Sequence, residues 1–189
     1  MPTGYFIKFE GQHQAKNQAS YTIGGLAFLA LLGVIGILYH LYKNWLWVAL
    51  TLSNIPFAML GSVALLYITS TPLSIAAMVG FITLTGISSR NGILKISHYL
   101  TMIEEGMTFN QALIIQGAKD RLSPVLMTAL TASLALLPVL LQKHQAGSEI
   151  LYPVAVVIIG GLLTSTLIDS FMTPLWFYHI FKKSKVLKN

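Results

Sequence analysis

Few residues in this chain could do chemistry, and most of them interrupt apolar sequence. The densest group is Arg90-Asn91-Gly92, within LSIAAMVGFITLTGISSRNGILKISHY (Leu73–Tyr99). An arginine this close to hydrocarbon is costly and marks a functional position by default. Its bland role is to snorkel from the membrane boundary to the headgroups. Asp169 stands about two-thirds of the way into the last apolar run and must face protein or water rather than lipid. A structural polar contact and a proton-linked role both fit it.

The remaining polar candidates are weaker. His13 sits in polar sequence without a second ligand at metal spacing, and His40 belongs to an interfacial aromatic belt. His144 and Glu149 share a short loop but lack a third ligand, so a solvated loop is the better reading. Met59, Met78, Met102, Met107, Met127 and Met172 do not cluster at short spacing, so they read as apolar packing rather than a soft-metal path. The chain has no cysteine, hence no disulfide framework and no thiolate metal site. It carries no G-x-S-x-G, H-E-x-x-H or Walker A pattern and no paired intramembrane carboxylates. Neither an enzyme nor ATP hydrolysis is indicated, and no cofactor or metal site is expected within the chain.

The elements that must position these residues are membrane spans. Of 189 residues, 54% are hydrophobic and 10% charged, against a usual charged share of roughly 25%. No charge falls between Lys16 and Lys43, Lys43 and Arg90, Arg121 and Lys143, or Glu149 and Asp169. With about 20 residues per crossing, these gaps predict five helices: about 21–42, 46–66, 73–95, 122–142 and 153–178. The net charge of +6 would raise nucleic acid as a partner for a soluble protein. Here the basic residues flank apolar runs and report topology instead. With the C-terminus cytoplasmic, the inside holds Lys43, Arg90, Lys95, Lys119, Arg121, Lys182, Lys183, Lys185 and Lys188, and the outside Lys8, Lys16 and Lys143. The N-terminus is then external. Met1–Ser20 is polar, with no apolar signal region, which leads us to expect a piece of a longer protein.

Tyr5–Phe9 followed by Gly11 predicts one strand and a turn, with pairing partners elsewhere. Gly24, Gly25, Gly33 and Gly36 in the first span, and Gly160 and Gly161 in the fifth, permit close helix approach. Pro56 and Pro138 predict kinks, and Gly86 and Gly92 helix packing. Between spans three and four, residues of about 100–121 form a connector. Thr108 and Gln111 have capping-box spacing before a short amphipathic helix over Phe109–Lys119, and Pro124 falls in the first turn of the fourth span.

Several stretches together resemble the resistance-nodulation-division (RND) efflux pumps, in their heavy-metal cation branch typified by the cobalt–zinc–cadmium exporters. They are Asn54-Ile55-Pro56-Phe57-Ala58, Val79-Gly80-Phe81-Ile82, Gly86-Ile87 with Arg90-Asn91-Gly92-Ile93-Leu94, the run Arg121–Thr131 (RLSPVLMTALT), Leu137-Pro138, Gly147-Ser148-Glu149-Ile150, and Pro153–Leu162 (PVAVVIIGGL). They occur in family order and cover nearly the whole chain.

The resemblance implies an all-α integral membrane fold equivalent to the last five spans of a twelve-span transporter. Residues 1–20 would end a periplasmic porter subdomain, 21–181 form the transmembrane domain, and 182–189 a basic cytoplasmic tail. It implies an inner-membrane, proton-driven exporter of heavy-metal cations. Its partners would be the first-half helices and periplasmic domains, other copies in a homotrimer, a periplasmic adaptor, an outer-membrane channel and membrane lipid, with no nucleic acid. The family's proton-carrying acidic residues lie mainly in the first half, so the chain would be inactive alone. In the copper/silver subgroup a Glu stands in the place of Arg90 and a Lys in that of Val125; this sequence has neither, which argues against monovalent cations. Arg90 then becomes a structural and electrostatic element, because arginine stays protonated. Asp169 departs from the uncharged residue expected there. Two other readings stand beside this one: a non-transporting remnant or subunit of a split gene, and a multidrug exporter.

Overall fold

The computed structural model describes residues 10–142 and 147–186, all but their turns helical. The helices are α1 (Glu10–Tyr42), α2 (Trp45–Leu52), α3 (Asn54–Ile68), α4 (Ile75–Glu104), α5 (Gln111–Leu141) and α6 (Ser148–Val186). The strand expected over Tyr5–Phe9, and His144, lie outside the described residues. The turn expected at Gly11 is absent, because α1 already runs from Glu10. Once an apolar helix is nucleated, its extension through the good helix formers of this stretch costs little.

The ends of the helices follow from local chemistry. Asn44 caps α2 by accepting from the Leu46 N–H at 2.9 Å, and Ser74 caps α4 by accepting from the Ala77 N–H at 3.2 Å. The connector is capped by Asn110, which accepts from the Leu113 N–H at 2.8 Å. This corrects the capping box expected at Thr108. The short connector helix and the fourth span are one helix, α5, continuous through Pro124. Proline removes one backbone hydrogen bond, and the preceding turns are held in line by packing: a Cβ on Gly117 would lie 2.5 Å from the Tyr99 ring. Gly106, at φ 91°, provides the left-handed residue that closes α4.

The second span, expected to kink at Pro56, is interrupted for one residue at Ser53, between α2 and α3; Ser53 keeps right-handed helical dihedrals (φ −60°, ψ −21°). The Pro56 ring clashes with the carbonyl four residues earlier, Leu52, and offers it no N–H. The break falls where that clash predicts.

α6 lies at the centre, packed against α3, α4 and α5. α4 runs parallel to it, from Gly80 beside Val157 to Tyr99 stacked on Phe177. Two cores result. One, at the Gly80 end, is mainly aliphatic and includes Ala58, Leu84, Val156, Val157 and Leu162. The other, at the Tyr99 end, is aromatic and includes Trp47, Tyr99 and Phe177. Among the described residues four helical stretches are long and apolar enough to cross a membrane: Asn17–Tyr42, Trp45–Ile68, Gln111–Leu141 and Ser148–Phe181. Five were expected. α4 differs because Ser88, Ser89, Arg90 and Asn91 interrupt its apolar run.

Candidate functional site

Between the two cores lies a buried polar node. Lys95 of α4 and Asp169 of α6 form an ion pair through Asp169 Oδ2, both side chains about 95% buried. Asp169 Oδ1 accepts from Asn54 Nδ2 at 2.6 Å and from the Thr173 hydroxyl. The carboxylate thus gathers three donors, from α3, α4 and its own helix. An ion pair so far from water needs further hydrogen bonds of this kind on its charges. Asn54 is also the first residue of α3, directly after the interruption at Ser53.

The local sequence explains the alignment. Thr166, Asp169 and Thr173 recur at helical spacing on one face of α6, and Ser88, Lys95 and Tyr99 on one face of α4. Ser88 Oγ and Thr166 Oγ1 are buried and without a hydrogen-bond partner among the described residues, so the polar stripe continues past the ion pair. At the other side Trp47 and Tyr99 stack on Phe177 at 4.8 and 4.7 Å between ring centres. Towards the Gly80 end the helices close tightly: a Cβ on Gly61 would lie 2.0 Å from Thr164 Oγ1 and 2.6 Å from the Gly160 carbonyl.

The residues singled out in the sequence separate into groups. Asp169 is in the node. Asn91 is buried, and Gly92 packs on Thr51, whose carbonyl would be 3.0 Å from an added Cβ. Gly160 and Gly161 lie in the tight crossing. Arg90 is exposed and takes no part in the node. Gly86 meets nothing within 4 Å; it lines a groove of about 640 Å³ between α1, α3 and α4, with Phe28, Met59, Met78 and Phe81. Pro56 and Pro138 are exposed, and α5 continues through Pro138 to Leu141. Among the described residues no cluster of three or more His, Asp or Glu could hold a metal ion.

Lys95, Asn54 and Gly61 were missed by sequence reasoning. Lys95 reads as one more inside charge. Its position seven residues after Ser88, on the same helix face, is the signal that was available.

A family model described as the AcrB/AcrD/AcrF family matches residues 1–182. The chain belongs to that family. Its relatives point to the heavy-metal branch of the RND pumps. It is 34% identical over its full length to the nickel-cobalt-cadmium resistance protein NccA of Alcaligenes xylosoxydans xylosoxydans, covering 17% of that protein. It is 36% identical over 92% of its length to the cobalt-zinc-cadmium resistance protein CzcA of Cupriavidus metallidurans, covering 16%. A crystal structure of a heavy metal efflux pump superimposes with a TM-score of 0.78 at 31% identity, over 91% of this chain and 17% of that one. The multidrug resistance protein MdtC of Proteus mirabilis is 35% identical over 75% of the chain. The chain thus spans about one sixth of the length of the RND relatives it matches.

Proposed function

We propose that this chain supplies membrane helices to a proton-driven inner-membrane exporter of divalent heavy-metal cations, and that it transports nothing alone. The observation that carries the reading is the match to metal-resistance relatives across 92–100% of the chain. In this reading the N-terminus is periplasmic and the C-terminus cytoplasmic, and the chain has no enzyme activity. It works with first-half helices and periplasmic domains of an RND pump, in a homotrimer with a periplasmic adaptor and an outer-membrane channel.

The polar residues support this. In the node Asp169 is paired with Lys95, Asn54 and Thr173, so the carboxylate buried among these helices is not free. Proton binding then belongs to helices supplied by the rest of the pump. Arg90 is exposed on a helix whose flanks are apolar, beside the α1/α3/α4 groove. A lipid-facing arginine is costly, which favours covering of this face by further spans. There Arg90 would set the field acting on their acidic groups, and Asn91 the packing behind it.

The test is metal tolerance. Deleting the complete locus should sensitise cells to zinc, cobalt, cadmium or nickel. Unchanged tolerance to all four would count against metal export, and sensitivity to organic compounds instead would favour the multidrug reading. The present chain expressed by itself should confer no resistance; a clear gain would sink the claim that it depends on partners.

A further inference from the structure

The node has a feature that transport chemistry does not account for: its charges are arranged to satisfy each other. Asp169 Oδ2 meets Lys95, and Oδ1 meets Asn54 and Thr173. Of the other groups around it, Tyr99 of α4 is the further titratable side chain that interacts with Asp169. α5 contributes the buried apolar residues Val125 and Ala129 at its own contact with the bundle. The node therefore ties α3, α4 and α6 together through one carboxylate.

Its position shows what it does hold together. The pair sits between the aliphatic and aromatic cores, joining parallel α4 and α6. Through Asn54 it reaches the first turn of α3, immediately after the break at Ser53. Ser53 makes no side-chain cap hydrogen bond there. Towards the Gly80 end the α4–α6 contact is apolar, as at Gly80 against Val157 and Gly161 against Leu84, and towards the other end it is the Tyr99–Phe177 stack. Apolar contacts can re-form with new partners after a slide. A buried ion pair cannot, since sliding by one turn would leave both charges unpaired in a medium without water.

We propose that the Lys95–Asp169 ion pair is a structural lock, fixing the register of α4 on α6 and anchoring the start of α3. The three helices therefore move as one body, and the charges matter only as a pair.

The test uses the full chain in native membranes and in detergent. The chain has no cysteine, so a G80C/V157C pair reports the α4–α6 register by oxidation; a Cβ on Gly80 lies 3.0 Å from Val157 Cβ. D169N and K95M should each lower the cross-linking yield and the ratio of folded to unfolded chain in SDS titration, the latter by about a hundredfold. The double variant K95M/D169N, which keeps an acceptor for Asn54 and Thr173, should recover both to within about threefold of wild type. Single variants that behave as wild type would overturn the lock, as would a double variant no better than the worse single. A double variant that folds and cross-links normally, yet abolishes efflux in the assembled transporter, would show that the charges serve transport rather than structure alone and also overturn it. If the unmodified assembly exports no cation, the transport reading fails while the cross-linking result stands.

Discussion

α1 and α6 look alike as sequence and differ entirely as structure. Both are long and have near-equal mean hydropathy, yet 6% of the most apolar stretch of α1 is buried in the fold, against 67% for α6. Both contain glycines. Those of α1 (Gly24, Gly25, Gly33 and Gly36) meet nothing within 4 Å, which corrects the expectation that they bring helices together within this chain. Gly160 and Gly161 of α6 are so close to α3 and α4 that an added Cβ would overlap Leu65, Leu84 and the Gly61 carbonyl. The lesson is about solvent. In water an apolar face must be buried, whereas lipid is as good a solvent for leucine as a neighbouring helix is. Centrality in this bundle therefore follows from fit and polar pairing, not from hydrophobicity.

The comparison can be broken at its strongest point first. D169N, which strands the Lys95 charge, should destabilise the chain by about 3 kcal/mol in SDS titration, while no single substitution in the exposed face of α1 should approach that. Next, Gly61→Ala should cost about 1–3 kcal/mol by forcing α3 from α6, read as a lower thermal midpoint in detergent; a neutral result would mean the crossing is looser than described. Ser62 donates to the Val157 carbonyl at 2.7 Å across the same crossing. Ser62→Ala should lose about 0.6 kcal/mol, the usual worth of an interhelical hydrogen bond in a bilayer, and a double-mutant cycle with Gly61→Ala would show whether the two losses couple. The smallest effect has the opposite sign. Gly33→Ala in α1 should stabilise by no more than about 1 kcal/mol through helix propensity; a marked loss of stability would show that α1 packs closely after all.

Much of the site was legible in part. Asp169 announces itself, because a carboxylate in an apolar run must find a partner. Its partners do not, since Asn54 lies 115 positions away and no local pattern ties it to α6. Lys95 was masked by its neighbours: charges near a helix end ordinarily mark the membrane boundary, and Arg90 in the same helix does remain exposed. Five residues separate the two, which on an α-helix turns them to different faces. The break at Ser53 was half legible, since Pro56 predicted a disturbance and steric reasoning places it at the carbonyl of Leu52. Connector and fourth span merged into α5 because packing of Leu113, Ile114 and Gly117 on α4 overrides the proline's local effect.

The sequence by itself determined that this chain lives in a membrane, where its apolar runs start and stop, and which transporter family it belongs to. Those properties are written in composition, charge gaps and ordered motifs. Only the tertiary structure decided which charge is paired and which exposed, and which glycines are contacts and which are not. The physical reason is that a membrane helix is apolar on every side. It lacks the one-sided stripe that tells a soluble helix which face to bury, so the buried face is selected by partners that lie far away in the chain.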